Sequence, residues 1–103
     1  MTWNEAKEGT IRQWTSIRDA IGTADTVTLL TEINAVCDLC EKADEAKGGT
    51  PFGRCDYCLF YQQFGGCQKV SATMSELVAS RRWDEVRALV DDMIARTRAM
   101  AVA

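Results

Sequence analysis

The sequence contains no histidine. Imidazole is the usual general base near neutral pH and the usual partner of cysteine at mixed zinc sites, so both kinds of chemistry are excluded. No apolar run approaches the roughly 20 residues that span a bilayer, and no membrane partner is expected. The opening residues Met1-Thr2-Trp3-Asn4-Glu5 lack a basic segment followed by an apolar one, so a signal peptide is not expected and the cytoplasm is the expected location. Basic charge is also in short supply: 12 Lys and Arg stand against 15 Asp and Glu, a formal charge of −3. A protein held to nucleic acid by general electrostatics carries the opposite sign, which disfavours that partner. Proline occurs once, at Pro51, so most of the chain is free to be helical.

Cysteine is the exception to this scarcity. Five occur in 103 residues, and all five fall between Cys37 and Cys67. Two C-x-x-C pairs, Cys37 with Cys40 and Cys55 with Cys58, are followed by Cys67 after Gly65-Gly66. In a reducing compartment paired cysteines serve as ligands or redox thiols more readily than as structural disulfides, and an odd count would strand one thiol. Residues three apart at a helix end or tight turn bring two sulfurs to about 3.8 Å, the edge of a tetrahedral four-sulfur shell. The expected metal ligands are therefore Cys37, Cys40, Cys55 and Cys58, with zinc as the expected metal. Zinc with four thiolates carries a net charge of about −2, which deepens the acidity of the chain.

Three other readings stay open beside zinc. An iron–sulfur cluster would draw on Cys67 as an additional cofactor ligand, with Phe52, Tyr57, Phe60, Tyr61 and Phe64 as its apolar shield. A thiol–disulfide protein would use an exposed, low-pKa thiol at Cys55, although the strand-then-helix context of a thioredoxin-like domain is missing. Plain burial of cysteine as a small hydrophobe suits Cys37 and Cys40 but not Cys55 and Cys58 beside Gly53, Arg54 and Asp56. Glu41 and Leu59 stand where a zinc ribbon or treble clef carries glycine after each pair, so the chain is assigned to neither.

The flanks read as amphipathic helix. Thr2 and Glu5 form a capping-box pattern, and Trp3, Lys7, Thr10 with Ile11, Trp14, Ile17 and Ile21 then recur at three- and four-residue steps up to Gly22. A second helix, capped by Thr23 or Asp25, is expected from Thr26 into the forties, with Leu30, Ile33, Cys37 and Cys40 on one stripe. Gly48-Gly49-Thr50-Pro51 closes it. After Phe52-Gly53-Arg54 either a short helix starts near Cys55 or a compact turn wraps the site; the helix, ending at Gly65-Gly66, is the preferred reading. Thr73 and Glu76 form another capping-box pattern. Ser80-Arg81-Arg82 marks a bend before the clearest helix, which carries Trp83, Val86, Leu89, Val90, Met93, Ile94, Thr97 and Met100 on one side.

The expectation is a single mainly α domain over 1–103: a small helical bundle of three principal helices with a cysteine-rich metal-binding segment, 37–67, between its helical flanks. Four protein ligands leave no open position on the metal, so the site is expected to be structural, holding a surface for a protein partner in an interaction or regulatory module rather than an enzyme. The last helix is wide enough in apolar residues to allow a homo-oligomer.

Overall fold

The computed structural model describes residues 1–49 and 53–102. It is mainly helical: six α-helices and one 3-10 turn, with no strand among the described residues. No helix there is long and apolar enough to cross a membrane.

Helix α1 (Trp3–Ala20) starts as its sequence directs. Thr2 Oγ1 accepts from the Glu5 amide at 3.1 Å while Glu5 Oε1 accepts from the Thr2 amide at 2.9 Å, so two otherwise unpaired N–H groups are satisfied reciprocally. Ala6, Thr10, Trp14 and Ile17 form its buried stripe. Gly22, with φ +91°, turns the chain into the connection to α2. Trp14 belongs to the core, whereas Trp3 is half-buried beneath the Lys42 ammonium, 5.9 Å from the ring centroid.

Helix α2 (Thr26–Ile33) is capped by Asp25, whose Oδ1 accepts from the Thr28 amide at 2.7 Å. It does not run into the forties. The chain leaves the helix after Asn34 and restarts as α3 (Asp38–Lys47), with Cys37 extended at its N-cap. Side chains from α1 account for the break. In an unbroken helix the Leu39 amide would donate to the Ala35 carbonyl. Instead Gln13 Nε2 donates to the carbonyls of Ala35 and Glu32, both at 3.4 Å, and Thr10 Oγ1 accepts from the Leu39 amide at 3.3 Å. Both halves of the missing helical bond are thus satisfied from outside.

The segment after α3 is largely helical as well. A 3-10 turn (Arg54–Tyr57) leads into α4 (Leu59–Phe64), so the short helix begins after Cys58 rather than at Cys55. Gly65, at φ +88°, ends it. Helix α5 (Cys67–Ala79) then begins six residues before Thr73, and the expected Thr73–Glu76 cap does not exist. Thr73 lies inside the helix and donates to the Lys69 carbonyl at 3.0 Å. The bend at Ser80-Arg81-Arg82 is present, with Arg81 in the left-handed region at φ +56°, and α6 (Trp83–Ala99) follows. Expectations for Thr50, Pro51 and Phe52 lie outside the described residues.

Packing places α1 at the centre, against α6, α3 and α2, while α5 lies against α2 and α6. The buried side chains Ile17, Leu29, Leu39, Met74, Val78, Val86 and Val90 join all these helices in one core. Phe60 carries α4 into the same core, and Gln63 fixes it to the C-terminal tail through a reciprocal pair of 2.8 Å bonds with Ala101.

Gly9 matters to this arrangement. A methyl group there would lie 1.8 Å from Asp38 Oδ2, at the start of α3. A helical Gly→Ala change ordinarily stabilises by about 1 kcal/mol. Gly9→Ala is expected to lose that gain, and Asp38→Ala in the same chain is expected to restore it, giving a coupling of about 1 kcal/mol in a urea-unfolding double-mutant cycle. Additive effects of the two changes would show that the close approach is not felt.

Candidate metal centre

All five cysteines come together, although they enter from four places in the chain. Cys37 is the N-cap of α3 and Cys40 lies in its first turn. Cys55 is on the 3-10 turn, Cys58 is the N-cap of α4, and Cys67 is the first residue of α5. Three helix starts therefore face one cluster of sulfurs. The amides of a helix start favour thiolate, as those of Tyr61 and Phe60 do for Cys58, but burial outweighs them there.

The sulfurs of Cys37 and Cys40 are 3.7 Å apart, close to the separation expected from their spacing. Cys37 donates to Cys40, and Cys67 lines the same cavity as both. These neighbouring thiols set one another's acidities. Donation to Cys40, with burial, pushes the Cys37 thiol well up. Cys40 is lowered by that bond, but the neighbouring Cys67 and burial outweigh the effect and leave it raised. The neighbouring Cys40 holds Cys67 below the usual thiol range against the opposing effect of burial. Burial raises Cys58, partly countered by the amides of Tyr61 and Phe60.

Four of these sulfurs line a cavity of about 60 Å³, bounded by Cys37, Cys40, Cys58 and Cys67 together with Thr10, Trp14, Phe60 and Met93. A smaller space on the other side is bordered by Cys40, Cys55, Cys58, Cys67, Arg54 and Tyr61. Among the described residues no three Cys, Asp or Glu side chains stand in an arrangement that holds a metal ion as they are. Cys37 and Cys40 are instead hydrogen-bonded to each other as thiols.

Two residues outside the cysteine motifs shape the cluster. Arg54 Nη1 reaches Asp44 Oδ2 at 3.0 Å and fastens the 3-10 turn to α3. Asp44 holds the guanidinium in its charged form, and Cys40 and Cys55 lie close enough to add to that effect. Thr10 is the second. Only 2% exposed, it accepts from the Leu39 amide, so one buried oxygen orients the start of α3, where Cys37 is the N-cap, and the two residues line the same cavity. Its sequence signal was its place in the apolar stripe of α1, where a buried hydroxyl needs a partner. For Cys67 the signal was Gly65-Gly66, which punctuates the chain before an unbroken run of helix formers.

No protein-family model matches the chain, and neither the curated proteins nor the solved structures contain a significant match to it.

Two buried threonines provide an internal comparison. Thr97 Oγ1 donates at 2.7 Å to the Met93 carbonyl of its own helix, a bond the helix does not need. Thr10→Val is expected to destabilise by about 1–3 kcal/mol in urea because the Leu39 amide loses its partner, whereas Thr97→Val stays within about 1 kcal/mol of the parent. Equal losses would remove Thr10 from its positioning role.

Proposed function

We propose that this chain is a small metal-binding protein in which four of the five thiols close as thiolates on one structural zinc ion. The ion fastens the middle segment, 37–67, to the helical core within a single domain; of the three principal helices expected, α1 and α6 are continuous and the second is divided into α2 and α3. The observation that carries the reading is the convergence of thiols from three helix starts, with one pair of sulfurs 3.7 Å apart. That separation is the edge of a tetrahedron with zinc–sulfur bonds of about 2.3 Å. Closing the site requires the thiols to lose their protons and turn to a common centre.

The purpose of such an ion is to hold a surface. Val36 and Tyr61 are 52% and 43% exposed, and each borders a space that thiols also line. Large apolar side chains held at the surface by a rigid site suit a protein partner. The protein then acts as an interaction or regulatory module, and with all metal positions taken by protein it has no open coordination site for catalysis.

An iron–sulfur centre is the second reading, favoured by the cavity of about 60 Å³ beside four of the thiols, which exceeds the room one water requires. Metal analysis and a visible spectrum on protein purified without oxygen and without a histidine tag separate the two. The zinc reading predicts about one zinc per chain, a colourless sample, and unfolding stability that rises by about 4 kcal/mol when free zinc is a thousand times its Kd. Iron with acid-labile sulfide in a brown sample would replace zinc by a cluster. A chain that takes up neither metal would overturn both.

A further inference from the structure

The two C-x-x-C pairs invite the assignment of Cys37, Cys40, Cys55 and Cys58 as the ligands, with Cys67 left over. The fold favours a different choice. We infer that the ion is held by Cys37, Cys40, Cys58 and Cys67, and that Cys55 is the thiol left free; this assignment rests on the single-ion reading above.

Placement of the sulfurs carries the inference. Cys37, Cys40, Cys58 and Cys67 all line the inner cavity, whose other walls include the core side chains Trp14, Phe60 and Met93. Cys55 does not line it. It borders the smaller space beside Cys40, Cys58, Cys67 and Arg54, a space that Cys37 does not line, so the pair already 3.7 Å apart, Cys37 with Cys40, shares the inner cavity with Cys58 and Cys67 and not with Cys55. Backbone geometry agrees. Cys67 is the first residue of the 13-residue helix α5, held in place by the helix it begins, whereas Cys55 sits on a four-residue 3-10 turn.

The consequence is mechanical. A site made of the two C-x-x-C pairs would tie α3 only to the neighbouring 3-10 turn and α4. With Cys67 as a ligand it also ties α3 to α5, and so to the α5–α6 hairpin. Metal binding would then brace the frame of the protein as well as its middle segment. Cys55, partly exposed beside the guanidinium of Arg54, would remain open to a thiol-directed reagent while the ion is bound.

Thiol labelling of the zinc-loaded, full-length protein tests the assignment without any substitution. After brief exposure to N-ethylmaleimide, intact-mass analysis is expected to show one added label with one zinc retained, and peptide mapping to place it on Cys55. A single label on Cys67 with zinc retained would overturn the ligand assignment and leave the single-ion reading standing. Five labels on protein that retains no zinc would overturn both. Cobalt titration of Cys55→Ser and Cys67→Ser provides the independent check. Cys55→Ser is expected to keep the parent's sulfur-to-cobalt charge-transfer intensity and to bind within about threefold of the parent, while Cys67→Ser loses roughly a quarter of that intensity and binds at least about 100-fold more weakly. The reverse pattern would contradict the assignment.

Discussion

The arrangement of the thiols depends on a hydrogen bond that α1 interrupts. Between Ala35 and Leu39 a continuous helix would close its own ladder, and both thiols of the first pair would continue along the stripe of α2. Gln13 occupies the carbonyl and Thr10 the amide. The chain can then turn at Val36 and Cys37 without leaving either group unpaired, and α3 starts afresh with its amide end directed toward the sulfurs. Gly9 lets that start lie against α1, where any side chain would meet Asp38. One turn of α1, residues 9–13, thus converts a plausible long helix into a two-helix corner with cysteine at its apex.

This explains which parts of the fold were legible. The first helix announced itself through capping chemistry and apolar period and the last through apolar period alone, and their bounds follow Thr2, Gly22 and the bend at Arg81. The break after Ile33 was not legible, because residues 26–47 are all compatible with helix and the competing partners lie about 25 residues earlier in the chain. Propensity is local, whereas the deciding hydrogen bonds are tertiary. The start of α5 was misplaced for a related reason. Thr73 and Glu76 have the spacing of a capping box, but a helix already begun at Cys67 leaves no free amides for Thr73 to cap.

The cysteine-rich segment was legible as a site and less so as a geometry. The spacing of Cys37 and Cys40 implied neighbouring sulfurs, which the fold supplies at 3.7 Å. Spacing alone also paired Cys55 with Cys58 as equals. The turn that separates them makes Cys58 a helix cap facing inward, 8% exposed, and leaves Cys55 toward Arg54. A C-x-x-C motif constrains two sulfurs to approach each other, but which of them reaches a common centre is decided by the elements on either side.

The central claim is one ion surrounded by four sulfurs, and X-ray absorption at the zinc edge addresses it directly on the zinc-loaded protein in solution. The account predicts a single shell of four sulfur atoms at about 2.3 Å. A shell containing oxygen in place of one or more sulfurs, or a second metal as a near neighbour, would contradict it.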